Sequence, residues 1–311
     1  MSRIFDALQR SGTEQSGIEY PDMLSVATEV FEATQDQITP EPAPSVPSAA
    51  LCEPERSRGL AEAPAPELPT VEVANELFPS LLPLQVTVAP ASRLVFFTEP
   101  HGLAAEKFRF LGFRLRQLQQ SRPLKKVLIT STIPQEGKST VAANLACALA
   151  SRTQQRTLLL DGDLRRPTLA KQFGLGKILG ISEWLQGEGG PTTSIYQLED
   201  TRLWILPAGS TPKNPLELMQ SGRLSTIVRQ LTTWFDWIVI DSPPVLPLAD
   251  TSIWMRQADG FLLVARQGVT GRDLLRRGLE AMEQSKLLGT VLNASTKTAQ
   301  SDYYYQAVMK S

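Results

Sequence analysis

Residues 125–150 limit the possible folds more than any other stretch. Lys125-Lys126-Val127-Leu128-Ile129-Thr130-Ser131 is a short β-rich run, Thr132 to Gly137 is a loop, and Lys138-Ser139-Thr140 opens the Ala- and Leu-rich run VAANLACALA. A strand that turns straight into a helix leaves the first helical N–H groups unpaired, and the helix dipole there favours an anion. The order approaches G-x-x-x-x-G-K-[ST], a loop that cradles phosphate. Thr132 replaces the first glycine, while Gly137-Lys138-Ser139 is intact. Gly137 lets backbone approach a phosphate closely, Lys138 supplies a point charge, and Ser139 offers a hydroxyl to Mg²⁺. The candidate nucleotide-binding set is Pro134, Gln135, Glu136, Gly137, Lys138, Ser139 and Thr140.

The remainder of the C-terminal two thirds repeats this alternation. Apolar runs at 127–131, 157–160, 203–206, 237–240, 260–265 and 290–293 read as strands. Helical patterns fall at 106–120, 138–152, 215–234 and 271–284. Short buried strands alternating with helices predict an α/β fold of the P-loop NTPase type. Its mostly parallel sheet is flanked by helices on both faces.

Two of these strands end in carboxylates. Leu158-Leu159-Leu160-Asp161-Gly162-Asp163-Leu164-Arg165-Arg166-Pro167 places Asp161 and Asp163 at a strand's C-terminal end, and Ile238-Val239-Ile240-Asp241-Ser242-Pro243-Pro244 does the same for Asp241. Open parallel sheets bind ligands at that edge. A strand-terminal aspartate also matches a metal that prefers oxygen ligands. Lys138, Asp161, Asp163 and Asp241 are the catalytic candidates; Ser139, Asp161 and Asp241 are the metal candidates.

Composition removes several alternatives. One histidine, His101, excludes multi-histidine metal sites. Cys52 and Cys147 imply no disulfide framework, which fits a reducing cytoplasm. No apolar run reaches the length of a membrane helix or a signal-peptide core. The net charge of -1 conceals an asymmetry. Residues 1–100 hold 5 Arg, no Lys and 15 acids, whereas residues 101–311 hold 26 basic and 17 acidic residues. The total shows no strongly basic surface, so no nucleic-acid partner is expected, although the surplus on the second part leaves some room for one. Twelve of the 23 prolines lie between Pro40 and Pro100. Short helices are expected within 1–36, a disordered acidic Pro-rich linker over 37–93, the folded domain over 94–298 and a tail over 299–311. That tail carries Tyr303, Tyr304 and Tyr305 in succession, which cannot all face a core in a helix or strand.

TIPQEGKST, LLLDGDLRRP, IVIDSPPV and the terminal tyrosines together resemble the bacterial tyrosine kinases of capsular and exopolysaccharide synthesis, over about residues 95–305. GISEWLQGE, LPAGSTPKNPLELMQS and LGTVLNAS resemble that family's sequence as well. SRIFDALQRS is similar to the start of members lacking a fused membrane domain. The resemblance implies ATP and Mg²⁺ as cofactors and phosphorylation of Tyr303, Tyr304 and Tyr305 on a neighbouring subunit. It implies that one of Asp161 and Asp163 acts as base. It also implies a homo-oligomer, in the family a ring, and a membrane-bound polysaccharide co-polymerase or chain-length regulator as activator. That partner would recruit this cytoplasmic chain to the inner face of the plasma membrane. Glu106 and Arg109 match the first two positions of a Glu-x-x-Arg-x-x-Arg assembly helix, whereas the third position is Gly112. Two other readings remain open at this point. One is a partitioning or positioning ATPase scaffold, from which Ile133 departs where such proteins carry a signature lysine. The other is a non-catalytic ATP-binding regulator of polysaccharide export.

Overall fold

The computed structural model describes residues 83–151 and 154–295. The expected N-terminal helices of 1–36, the linker up to residue 82, Cys52 and the tyrosine tail lie outside the described residues. Eight strands form one sheet: β1 (Pro83–Leu84), β2 (Lys126–Ser131), β3 (Thr157–Asp161), β4 (Tyr196–Leu198), β5 (Leu203–Leu206), β6 (Trp237–Asp241), β7 (Gly260–Arg266) and β8 (Leu287–Asn293). Their order is β1-β4-β5-β3-β6-β2-β7-β8. Every neighbouring pair is parallel except β4 with β5.

Alternation along the central strands builds two cores. In β6, Trp237 and Val239 join Val127, Ile129 and Leu159 on one face, under the helices Leu103–Ser121 and Lys138–Ala150. Ile238 and Ile240 join Leu128, Leu158 and Leu160 on the other, under Ile181–Gln186, Arg223–Trp234 and Asp250–Gln257. Both faces are therefore covered, and the central strands carry continuous apolar runs (127–129, 158–160 and 237–240) rather than an alternation. Truncating a fully buried leucine such as Leu128 to alanine costs about 2–5 kcal/mol.

The elements depart from the sequence expectation in several places, of which three bear on the fold around the site. The stretch expected to remain linker to residue 93 joins the sheet earlier: Pro83 and Leu84 pair with Gln197 and Leu198, and Val86 and Val88 pack on the core. The pattern at 215–234 is two helices, Pro215–Gln220 and Arg223–Trp234, because Gly222 takes a left-handed φ of 77° between them. The eight-residue helix Asp250–Gln257, too short for a periodic signal, follows β6 and proves central to the site. Among the described residues no helix is long and apolar enough to cross a membrane.

Candidate active site

The loop after β2 is held from three sides. Gly137 caps the helix Lys138–Ala150 with φ 90°, and a Cβ there would lie 2.0 Å from Asn293 Nδ2. That amide donates to the Glu136 carbonyl at 2.9 Å, so the end of β8 pins the loop. Arg266, at the end of β7, donates to the Gln135 carbonyl at 3.3 Å. Glu136 itself is fully buried. Its carboxylate accepts from the Ile133 amide at 2.9 Å, from Thr132 Oγ1 at 3.0 Å and from the Thr270 hydroxyl. Glu136 is thus an internal brace of the loop, and its side chain does not face a phosphate. Thr132 fits at the position of the first glycine because it faces Gly278 on the helix Arg272–Glu280.

The predicted carboxylates converge at the same edge. Lys138 Nζ lies 3.1 Å from Asp163 Oδ2, 4.0 Å from Asp241 Oδ1 and 3.4 Å from Ser139 Oγ. Asp161 is fully buried and accepts the amides of Asp163, Thr168 and Leu169, so it shapes the loop that follows β3. Asp163 accepts the Arg166 amide at 3.0 Å and retains slight exposure, 5%. Asp241 is fully buried, and neither of its oxygens meets a hydrogen-bond donor at ordinary geometry.

Burial dominates the electrostatics. It raises the Asp161 carboxyl to about 8, with the neighbouring Asp241 charge adding to the rise and the Leu169 amide opposing it. Burial likewise raises Asp241 to about 6, against the Lys138 charge and the Ser139 hydroxyl. For Lys138, burial alone would lower the ammonium. The carboxylates of Asp241, Asp163 and Asp161 outweigh it and hold the group above its ordinary value. Three carboxylates around one ammonium leave a surplus of negative charge in a dry site. Asp241, which has a 4.0 Å ion pair with Lys138 but no hydrogen-bond donor, fits beside the Ser139 hydroxyl a divalent cation with oxygen ligands. Among the described residues no three His, Cys, Asp or Glu side chains form a complete cage. Mg²⁺ takes one or two carboxylates and completes its shell with water and substrate phosphates.

Sequence reasoning missed the second layer of this site. From the helix Asp250–Gln257, Trp254 Nε1 donates to the Gly162 carbonyl at 2.9 Å, and Thr251 Oγ1 donates to the Pro243 carbonyl at 2.7 Å. Asp250 accepts Arg165 Nε at 2.7 Å and Nη2 at 3.1 Å. One short helix thereby holds the loops after both β3 and β6. Gly162 is required, since a Cβ there would meet the Asp241 carbonyl and the Trp254 ring at 2.7 Å. Arg165 is a tie to Asp250. Only the aspartate in LAD and the tryptophan after it hinted at this helix.

The assembly candidates lie apart from the site. Glu106 and Arg109 form an ion pair with each other on the helix Leu103–Ser121, and Arg109 also donates to the Pro100 carbonyl at 2.6 Å. Gly112 is buried, and a Cβ there would sit 3.6 Å from Ala148 and Leu149. That register position faces the helix Lys138–Ala150 and is buried, unlike Glu106 and Arg109. Cys147 is buried, and burial raises its thiol, which disfavours the thiolate.

Comparison with known proteins finds no matching family model. The chain is 33% identical over 214 residues to the tyrosine-protein kinase YwqD of Bacillus subtilis, covering 68% of this chain and 90% of YwqD. Its structure resembles the crystal structure of the chimerical protein CapA2B2, with a TM-score of 0.63 and 30% identity over 73% of this chain and 100% of that one. It also resembles the kinase domain of the Escherichia coli tyrosine kinase ETK, with a TM-score of 0.60 and 26% identity over 65% of this chain and 82% of that domain. With the phosphate loop, the paired strand-end carboxylates and this likeness spanning most of its length, the chain belongs to the bacterial tyrosine-protein kinase family.

Proposed function

We propose that this kinase transfers the terminal phosphoryl group of ATP to tyrosine hydroxyls, with Tyr303, Tyr304 and Tyr305 of a neighbouring subunit as acceptors. The observation that carries this reading is Lys138 held between Asp163 and Asp241 at the mouth of the phosphate loop. The amides of 134–140 and the Lys138 ammonium hold the outer phosphates. Asp163, the more open of the loop carboxylates, orients the tyrosine hydroxyl and accepts its proton as the oxygen bonds to phosphorus and ADP departs. Asp161 holds the loop in shape. Ser139 and Asp241, with Asp161 behind them, are the residues for Mg²⁺, which would neutralise charge on the phosphates. Most of the rate enhancement comes from positioning and charge neutralisation.

The process this serves is the synthesis and export of extracellular polysaccharide or capsule, in a homo-oligomer activated by a membrane-bound chain-length regulator. The test is phosphotyrosine formation in the full chain with ATP, Mg²⁺ and the cytosolic segment of such a regulator. Wild type labels, Lys138→Met does not, and replacing all three tail tyrosines by phenylalanine removes most of the label. A wild-type chain silent under every condition refutes the reading. Labelling that survives Lys138→Met refutes the site.

A further inference from the structure

At the carboxyl edge of the sheet, where Arg165 follows Asp163 by two residues in the loop after β3, lies a groove of about 270 Å³. Arg165 forms one wall, and the chain that follows β5 supplies Lys213, Asn214, Leu216, Glu217 and Gln220. Neither the nucleotide loop nor the metal candidates line it.

The groove has an organised charge pattern. Asp250 grips the Arg165 guanidinium through two nitrogens, yet 37% of the Arg165 side chain stays exposed. This cation is fixed in place before any ligand arrives. Lys213 is exposed and has no ion pair or hydrogen bond among the described residues. Its segment is nonetheless anchored, because Ser210 donates its amide to Glu183 Oε1 at 2.9 Å. Glu217 is the single carboxylate in the wall, and it accepts from Asn214 at 3.1 Å. Asp250 offsets the Arg165 charge, so recognition of an anionic visitor falls to the unpaired Lys213 and the outward N–H groups of Arg165. Deeper in the site the sign reverses, since Asp163 and Asp241 already outnumber Lys138. An acceptor with an acidic neighbour would be repelled by that cluster unless cations stood beside its entrance.

The sequence contains such an acceptor. Within residues 296–311 the one acidic residue is Asp302, directly before Tyr303. We propose that the groove of Arg165 and Lys213 receives the residues flanking the acceptor tyrosine and selects for a carboxylate immediately N-terminal to it. The inference rests on the reading that the chain is a kinase acting on tyrosine tails. Selection is by contacts to a group away from the reacting atoms, so it acts on acceptor binding more than on chemistry.

The experiment uses full-length chains. Enzyme is wild type or Lys213→Glu, each with its own three tail tyrosines changed to phenylalanine. Acceptor is the Lys138→Met chain carrying either Asp302 or Asp302→Lys, with ATP, Mg²⁺ and the activator segment present. The wild-type enzyme is expected to prefer the Asp302 acceptor by about fivefold in kcat/KM, through KM, the scale of a partly exposed charge contact. Lys213→Glu is expected to lose that preference and to favour Asp302→Lys. Nucleotide affinity should be unchanged in Lys213→Glu. Equal labelling of both acceptors by wild type, or an unaltered preference in Lys213→Glu, overturns the groove and leaves the kinase reading standing. No labelling of either acceptor overturns the kinase reading itself.

Discussion

The substitution of threonine for the first loop glycine carries a structural obligation that a double-mutant cycle can expose. Thr132 is fully buried, and its hydroxyl donates to Glu136. Its methyl group occupies the space beside Gly278, where an added Cβ would lie 2.4 Å from Thr132 Cγ2. Gly278 has an ordinary helical backbone, so Gly278→Ala would otherwise gain about 0.5–1 kcal/mol from helix propensity. The overlap instead costs about 1–3 kcal/mol, as overpacking of a filled core does. The single variant should therefore be destabilised by up to about 2 kcal/mol and should bind nucleotide more weakly, because Thr132 is part of the loop's internal brace. Thr132→Ser removes only the offending methyl and keeps the hydroxyl on Glu136, at a cost of about 1 kcal/mol. With the methyl gone, the next neighbours of the new Cβ are Thr132 Cβ at 3.3 Å and Val245 Cγ1 at 3.6 Å, which need a shift of only a few tenths of an ångström. The double variant should be close to wild type or better. Urea unfolding and ADP titration of the four proteins give the coupling directly. A coupling below about 0.5 kcal/mol, the level at which distant sites add, would falsify the claim that Gly278 exists to accommodate Thr132.

Three further outcomes follow from the same geometry. Asp241→Asn should abolish phosphotransfer while raising the melting temperature of the nucleotide-free protein, since burial of a charge without a hydrogen-bond donor outweighs its 4.0 Å ion pair with Lys138; a fall in melting temperature would contradict this. Stability without nucleotide should decline as pH rises from about 5 to 8. Asp161 and Asp241 have folded values of about 8 and 6, above their unfolded values, so the native state holds more protons across that window. Differential scanning calorimetry in chelator should show that slope, and Asp241→Asn should flatten it. Trp254→Phe leaves the Gly162 carbonyl without its donor, at a cost of about 1–3 kcal/mol, and should lower kcat more than it raises the KM for ATP. A purely stability-related loss, cured by cooling, would argue against a positioning role.

How far the sequence reaches depends on the range of each signal. The central strands were legible because burial on both faces makes each an uninterrupted apolar run, and β5 falls at the expected residues. The phosphate loop and the three aspartates were legible because strand ends and a helix start are local events. The roles of neighbouring carboxylates were not. Asp161 and Asp163 are two residues apart, yet one is bonded by three amides of its own loop and the other by Lys138. The partners that separate them come from residues 138, 168 and 169. Glu136 looked like a loop residue facing a phosphate. Its burial depends on Thr270, which lies beyond a strand and has no local signature. β1 and β4 escaped notice because strands of two and three residues carry no periodicity. Gly112 shows the reverse case: the motif register gave an expectation, and packing against Ala148 and Leu149 decides what the position can hold.

The electrostatics of the site connect these points. A helix N-terminus with Lys138 attracts polyphosphate, yet three buried carboxylates stand within reach of the same ammonium and oppose a second anion. Desolvated like charges are held there by the fold: Trp254 and Asp250 fix the loop of Asp161 and Asp163, while the β6 strand fixes Asp241. Moving the carboxylates apart would relieve the repulsion, but the brace prevents it, and the buried groups instead rise toward protonation. A divalent cation beside Ser139 and Asp241 would offset the surplus, allow both carboxylates to ionise, and let nucleotide phosphate approach. Nucleotide affinity and metal affinity should therefore be coupled by linkage, each strengthening the other. Because ionised carboxylates favour the cation, that coupling should grow as pH rises through the window in which Asp241 and Asp161 lose their protons. The same surplus explains why an acidic acceptor tail would require cations outside the catalytic cluster, where Arg165 and Lys213 lie.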